Sequence, residues 1–198
     1  LWTEDNCTYA GNYYSIKNAI CNPKPCQKPR PPIWIAAKGD EMLKLVARHA
    51  DGWNMRGSIY EYRDRAAALA RYCRTYGRDS STLVRSLFVI LTIGENEKVL
   101  KQRAARAAIE SYRARPSNRS NQYSRKLSTA LRHPDRALNY LAQRIWPKPI
   151  DVVGTPEGCA DALHTFTKAG VTHFMIYFTD VASLEPLDLF HDRAKPLL

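Results

Sequence analysis

A short turn after an apolar run contains residue types that could bind an anion. The run Pro32–Ala37 is followed by Lys38, Gly39 and Asp40, where a helical pattern begins. Amide groups at a helix N-terminus attract anions, glycine lets a ligand approach the backbone, and lysine adds positive charge. Asp40 argues against such a function, because its carboxylate can satisfy the same amides from within the protein. A turn of this kind is often only a connection, so both interpretations stay open.

A second group of side chains follows the next apolar run. Trp53 and Asn54 end the short stretch Asp51–Met55, and Arg56 comes directly after it. These three side chains could line a ligand pocket. Burial in the core would explain an aromatic residue such as Trp53 equally well, and solvation would explain Arg56.

A third group lies near the C-terminus, in the predicted strand Val171–Phe178. Ligands of parallel barrels bind at the carboxyl ends of the strands. Tyr177 and Thr179 are near that end and could contact a cofactor. His173 lies in the first half of the strand, so we expect it to be structural.

The cysteines do not indicate a metal site. Their number is odd, and they are scattered over a chain of medium size, which favours reduced thiols over a disulfide framework. Cys21 and Cys26 are separated by four residues, and no second Cys or His pair follows at zinc-finger spacing. We therefore predict no metal. The five cysteines are Cys7, Cys21, Cys26, Cys73 and Cys159.

Alternating strands and helices must position these side chains. A hairpin with Gly11 and Asn12 in its turn is expected first, followed by an extended, proline-rich connector. Four apolar runs are then predicted to be strands, and helices are predicted to start near Asp40, Ser58, Gly94, Thr155 and Ser183. The four strands are Pro32–Ala37, Asp51–Met55, Val84–Ile93 and Val171–Phe178. This order predicts parallel βαβ units, in either an open doubly wound sheet or part of a βα-barrel.

The positive charge is concentrated in one segment. Residues 101–148 contain 12 Lys and Arg but only 2 Asp and Glu, which accounts for +10 of the net charge of +11. Residues 115–149 are interpreted as a basic helical insertion. Its charge could be a solvated face, a site for an acidic ligand or, as the third alternative, a nucleic-acid surface without a recognised motif.

The bulk composition favours one domain over residues 1–198. At 198 residues the chain is long enough for one packed core. No apolar run reaches the roughly 18 residues that a membrane helix needs, and the N-terminus does not resemble a signal peptide. We therefore expect a cytoplasmic protein that does not enter the membrane.

Three stretches in this order resemble the luciferase-like monooxygenase superfamily, whose members use FMN or the deazaflavin coenzyme F-420. Each stretch alone is weak, but their order and separation make the resemblance more specific, and together they extend over most of the chain. The stretches are Leu1–Asp5 with Ala10–Tyr14, Pro31–Ala37 continuing through Arg48–Asn54, and Val153–Glu157 with Ala169–Phe174.

The resemblance implies a TIM (β/α)8 barrel, in which the four predicted strands would be the fifth to the eighth. A whole barrel needs about 250 residues, so strands one to four are expected upstream of Leu1. The chain would then be a partial barrel of about four C-terminal βα units with a helical insertion before the last strand. Such a fragment would expose two sheet edges and half of the apolar lumen.

The resemblance also implies a cofactor site and a reaction class. Ala37, Lys38 and Gly39 would bind the cofactor phosphate, and Trp53 and Asn54 would lie near the cofactor. The cofactor would be FMN or coenzyme F-420, and it would carry the hydride or oxygen chemistry on a small-molecule substrate. Acid–base groups would come from the early strands, so no catalytic residue is assigned. The expected function is an oxidoreductase or monooxygenase present as a C-terminal fragment; the alternative is a non-catalytic half-barrel that binds a second half, as in a homo-oligomer.

Overall fold

The computed structural model describes residues 1–113, 151–180 and 183–198, and it begins with the predicted hairpin. Strands β1 (Cys7–Ala10) and β2 (Ser15–Ala19) pair in antiparallel fashion around a turn that includes Gly11. A Cβ atom at Gly11 would lie 2.6 Å from the hydroxyl oxygen of Tyr9, so a larger residue there would displace that exposed side chain. The connector that follows contains no helix or strand between residues 20 and 33.

A parallel sheet of five strands forms the centre of the chain and confirms the α/β class. Strand β5 is the longest, and all the other strands but β3 pair with it. β4 lies along its first half and β6 along its second half, while β7 occupies the opposite edge. The strands are β3 (Trp34–Ala36), β4 (Gly52–Met55), β5 (Val84–Ile93), β6 (Asp151–Gly154) and β7 (His173–Phe178). Four of them were predicted, but β6 was not, because four residues carry too little pattern.

The helices start largely where the sequence predicts. Ser58 and Thr155 are N-caps, as expected. The interpretation of Asp40 as a cap is wrong, because the N-cap is Gly39 and Asp40 is the first helical residue. The predicted last helix is shorter and continues as a π-helical turn over Phe190–Ala194. The α-helices are α1 (Asp40–His49), α2 (Ile59–Thr75), α3 (Glu97–Arg113), α4 (Pro156–Thr167) and α5 (Glu185–Leu189).

The core lies between these helices and one face of the sheet, which we call the helix-facing side. Alternate strand residues point to this side and are almost completely buried. Burial also raises the pKa of the Cys159 thiol, on α4, to about 12. The strand residues on the helix-facing side are Trp53, Met55, Leu87, Val89, Leu91 and Ile93.

The other side of the sheet, which we call the open face, is less covered. Trp34, Met175 and Tyr177 on this face are 37%, 43% and 49% exposed. Every second residue along a strand points to the same side of the sheet, so the residues two positions away from these three also lie on the open face. The open face consists of Trp34, Ala36, Asn54, Ser86, Phe88, Ile90, Thr92, His173, Met175 and Tyr177.

An ion pair links the proline-rich connector to the start of β4. The Arg30 guanidinium donates to both carboxylate oxygens of Asp51, and the backbone amide of Ile33 donates to the same carboxylate at 2.7 Å. The Arg30 hydrogen bond, followed by the Ile33 amide, lowers the pKa of Asp51. This contact fixes the chain where it enters the sheet.

The predicted basic helical insertion, 115–149, lies outside the residues that the structure describes. Within the described ranges, no helix is both long and apolar enough to cross a membrane.

Candidate functional site

A cleft of about 390 Å³ opens where β3 and β4 end. It is bounded by the turn after β3, by the end of β4 and by one aromatic side chain of β5. Three of the five predicted site residues, Ala37, Lys38 and Asn54, therefore meet in one place. The lining residues are Ala36, Ala37, Lys38, Asn54, Met55, Arg56 and Phe88.

The turn after β3 is held in place from β4. The amide of Ala37 donates to the carbonyl of Asn54 at 3.0 Å, which extends the parallel pairing by one residue. On the other side, the indole N–H of Trp53 donates to the carbonyl of Ala37 at 2.9 Å. Both backbone groups of Ala37 are thereby satisfied, and the turn is fixed at the mouth of the cleft.

Trp53 does not line the cleft. Its side chain is completely buried on the helix-facing side and stacks on Tyr62 of α2, with ring centroids 5.5 Å apart. Burial raises the pKa of Tyr62 to about 12, partly offset by Arg85. Trp53 thus contacts the turn from the helix-facing side of the sheet, through its hydrogen bond to Ala37. Ala37, Lys38 and Asn54 line the cleft.

α1 starts directly after Lys38 and has no side-chain cap, although Gly39 itself is not among the residues that line the cleft. Its N-cap, Gly39, has no side chain to offer, and no atom lies within 4 Å of the position that a Cβ would take. The carboxylate of Asp40 accepts a hydrogen bond from Arg65 at 3.0 Å. The residue expected to compete with an anion is therefore held by another partner, which leaves the helix terminus available.

Lys38 is the cation closest to this terminus in sequence, and it is tied to α2. Its ammonium group lies 2.5 Å from Glu61, a carboxylate that also accepts a hydrogen bond from the Ser58 amide at 2.9 Å. These two contacts, with that of Lys38 the larger, lower the pKa of Glu61. Lys38 is 57% exposed at its side chain, so it can exchange Glu61 for an anion at modest cost.

The floor of the cleft combines apolar and polar atoms. Phe88 contributes its ring, and the guanidinium of Arg56 lies over that ring at 5.8 Å from the centroid. The side-chain oxygen of Asn54 is buried and has no hydrogen-bond partner within the described structure. Phe88 was not predicted as a site residue, because it lies in the middle of a strand. Its position between Leu87 and Val89 was the only sequence signal that its side chain points to the opposite side of the sheet from theirs.

The candidates on the last strand lie elsewhere. His173 makes an edge-to-face contact with Trp34, with centroids 5.8 Å apart, which fits its predicted structural role. Tyr177 is half exposed on the open face. The hydroxyl of Thr179 pairs with that of Thr92 at 2.8 Å. None of these residues lines the cleft.

The arrangement can bind an anion but offers little acid–base chemistry. The lining residues include two cations and no Asp, Glu or His. Across the described parts of the chain, no group of three or more potential ligand residues could hold a metal ion. The chemistry that the cleft supports is therefore recognition of a negatively charged group beside an apolar surface.

Comparison with known proteins identifies relatives of the chain. It is 28% identical over 108 residues to an F-420-dependent hydroxymycolic acid dehydrogenase of Mycobacterium tuberculosis, an alignment covering 54% of this chain and 28% of that protein. The chain thus spans less than a third of that curated relative.

Solved structures share the fold. A coenzyme F-420-dependent tetrahydromethanopterin reductase from Methanopyrus kandleri superposes with a TM-score of 0.68 at 15% identity, over 98% of this chain and 59% of that one. A riboflavin lyase solved with modified FMN and riboflavin gives a TM-score of 0.64 at 16% identity, over 98% of this chain and 48% of that one. At these identities the likeness concerns the fold. The family model described as luciferase-like monooxygenase matches residues 1–173, and the chain therefore belongs to the luciferase-like monooxygenase family.

Proposed function

We propose that this chain is the C-terminal, phosphate-binding part of a flavin- or deazaflavin-dependent oxidoreductase. The observation that carries the proposal is the uncapped N-terminus of α1 directly after Lys38, beside a cleft whose lining includes two cations and no carboxylate. FMN and coenzyme F-420 both carry a phosphate group, and the relatives include enzymes named for coenzyme F-420 and a structure that contains modified FMN.

In this proposal the backbone amides after Gly39 and the ammonium group of Lys38 hold the cofactor phosphate. Ala37 shapes the turn, with Trp53 fixing its carbonyl from the helix-facing side. Asn54 faces the cofactor from the end of β4. When bound, the cofactor would supply hydride transfer or oxygen activation; the side chains of this chain bind and orient it.

The fold supports a wider proposal about the whole protein. β3, β4, β5 and β7 would be the fifth to eighth strands of a (β/α)8 barrel, with β6 an additional short strand beside the seventh. The chain covers 48–59% of the two solved structures, which is consistent with half a barrel. The groups that move protons would then lie on strands outside this chain, because the described lining of the cleft contains no carboxylate or imidazole.

The direct test is a titration of FMN, riboflavin and coenzyme F-420 into this chain, followed by flavin fluorescence or absorbance. Riboflavin has no phosphate, so we expect FMN to bind at least tenfold more tightly if the turn recognises that group. Equal binding of FMN and riboflavin would contradict a phosphate site here.

One variant pair sharpens this test. Gly39→Asp places a carboxylate at the N-cap, where it bonds to the helix amides and repels phosphate, so FMN binding should fall by about tenfold or more while riboflavin binding is unchanged. Gly39→Ala is the matched control, because its methyl group enters open space and adds no charge. Loss of binding in the alanine variant as well would indicate steric contact instead of charge.

The exposed side of the sheet favours one alternative function, in which the chain is a non-catalytic half-barrel that pairs with a second half. Trp34, Met175 and Tyr177 would then be covered by the partner. Sedimentation velocity would test it: a dimer that binds neither FMN nor coenzyme F-420 would support this alternative over the cofactor site.

A further inference from the structure

Two side chains on one face of α2 hold the charged residues on either side of Gly39. Glu61 accepts a hydrogen bond from the ammonium group of Lys38, which precedes the glycine, at 2.5 Å. Arg65 donates to the carboxylate of Asp40, which follows the glycine, at 3.0 Å. Glu61 and Arg65 are four residues apart, so they lie one helical turn apart on the same face of α2. We call these two ion pairs the charge clamp.

Both clamp residues of α2 are also held by neighbours on their own helix or at its start. The second carboxylate oxygen of Glu61 accepts from the amide of Ser58 at 2.9 Å, so its two oxygens are divided between the helix start and Lys38. The Nε of Arg65 donates to Asp64 at 2.8 Å, while its Nη1 donates to Asp40. α2 therefore presents an anion to one side of the glycine and a cation to the other.

The exposure of the four side chains indicates that the clamp contributes little to stability. The side chains of Lys38, Glu61 and Asp40 are 57%, 41% and 58% exposed, and that of Arg65 is 26% exposed. Ion pairs this close to solvent stabilise a fold only weakly, because water and salt screen them. Their distinguishing feature is their position on both sides of one turn.

The two ion pairs act on a bound anion in opposite directions. An anion at the first amides of α1 is attracted by Lys38 and repelled by Asp40. Glu61 competes with the anion for Lys38, so it weakens anion binding. Arg65 neutralises Asp40 and draws its carboxylate to α2, so it strengthens anion binding.

We propose that Glu61 and Arg65 are positioning residues that set the affinity of the turn at Gly39 for a phosphate group. This inference rests on the proposed function of the turn as a phosphate site. Neither residue lines the cleft, so each acts through its partner in the turn and not by touching the ligand. The clamp keeps Lys38 exchangeable and Asp40 withdrawn, which lets the turn bind a phosphate group and release it.

The experiment measures binding of FMN and riboflavin to the unaltered chain, Glu61→Gln and Arg65→Gln, with inorganic phosphate as a competitor of FMN. Glutamine at residue 61 keeps an acceptor for the start of α2 and removes the charge. We expect FMN to bind about three- to fivefold more tightly to Glu61→Gln and about three- to fivefold more weakly to Arg65→Gln. Inorganic phosphate should follow FMN, whereas riboflavin, which has no phosphate, should bind all three proteins alike.

A rescue variant separates positioning from a general loss of positive charge. In the double variant Arg65→Gln with Asp40→Asn, the residue after Gly39 no longer carries a carboxylate, so FMN affinity should return at least to that of the unaltered chain. Arg63→Gln is the matched control, since it removes the same charge from an exposed position of α2. It should change FMN affinity less than about twofold.

Salt provides a second readout that a change in packing would not move. Exposed charges are screened at high ionic strength, so the difference in FMN affinity between Glu61→Gln and Arg65→Gln should shrink as salt is added. Thermal unfolding of each variant checks that it is folded under the conditions of the titration.

Two results would overturn the clamp while leaving the phosphate site intact. One is a set of FMN affinities that do not move in the two expected, opposite directions; a loss of structure, for example, would weaken binding in both glutamine variants. The other is an Arg65→Gln defect that Asp40→Asn does not repair. If FMN binds the unaltered chain no more tightly than riboflavin does, and inorganic phosphate does not compete, the proposed function itself fails and the clamp fails with it.

Discussion

Two neighbouring helices start beside the same cleft, but their N-termini are built differently. α2 has a complete capping box, in which Ser58 accepts from the amide of Glu61 and Glu61 accepts from the amide of Ser58. α1 starts at a glycine without a side-chain cap, and Arg65 holds its first carboxylate, Asp40. The box satisfies two amides at the start of α2 internally, whereas no side chain caps the first amides of α1, which remain for water or a ligand.

This difference indicates a division of labour between stability and binding. A capping box stabilises a helix by about 1 kcal/mol, so a helix that lacks one gives up that stabilisation. Lys38 connects the two termini, because it follows the strand before α1 and pairs with Glu61 of the α2 box. Trp53 connects them a second time, from the core, through Ala37 and Tyr62.

The largest expected effect comes from removing that connection in the core. Trp53→Ala should lower the free energy of unfolding by about 3–5 kcal/mol, because it leaves a large cavity on the helix-facing side and frees the Ala37 carbonyl. Urea denaturation would measure the loss. Trp34→Ala is the matched control, since Trp34 is 37% exposed on the open face and should cost clearly less. Equal losses in both variants would mean that the two faces of the sheet are equally packed.

A smaller effect is expected from breaking the α2 cap alone. Ser58→Ala should lower the free energy of unfolding by about 1 kcal/mol, because the amide of Glu61 loses its acceptor. The comparison of the two termini requires that FMN binding stay within about twofold of the unaltered chain. Ser58→Thr keeps the hydroxyl and should retain most of the stability; a tenfold loss of FMN binding in Ser58→Ala would mean that both termini serve the ligand.

The smallest expected effect is on the stability of the fold at acidic pH, through the titration of Glu61. Glu61 has a lowered pKa in the folded chain, first because of Lys38 and then because of the Ser58 amide. Its contribution to stability is therefore present above the unfolded value of about 4.3 and is lost as the pH falls through the lower folded value. Glu61→Gln should flatten the dependence of unfolding free energy on pH below that point, as measured by urea midpoints between neutral pH and pH 3.

Lys38→Met provides the matched control for that titration. It removes the larger cause of the lowered pKa but keeps the Ser58 amide, so the acid dependence should be intermediate between the unaltered chain and Glu61→Gln. A pH profile identical to that of the unaltered chain would mean that the contact between Lys38 and Glu61 does not contribute to the free energy of unfolding. Asp51 also has a lowered pKa, so some acid dependence should remain in every variant.

Much of the fold could be predicted because its signals are local. The run Val84–Ile93 is long, apolar and β-branched, and Ser58 and Thr155 are residue types that cap helices. β6 could not be predicted, because its four residues carry little pattern and pair with residues of β5 that are far away in the sequence. Asp40 was misassigned as a cap for a similar reason: its partner, Arg65, is 25 residues away.

The sequence by itself determined the family resemblance, the alternation of strands and helices, and the glycine turn with its lysine, since each depends on residues close together in the chain. Only the tertiary structure decided which side each strand residue faces in the assembled sheet. It placed Trp53 behind the cleft, Phe88 inside it, and Asn54 beside Ser86. Register between strands depends on packing across the whole sheet, so no local pattern could have predicted that Asn54 pairs with Ser86.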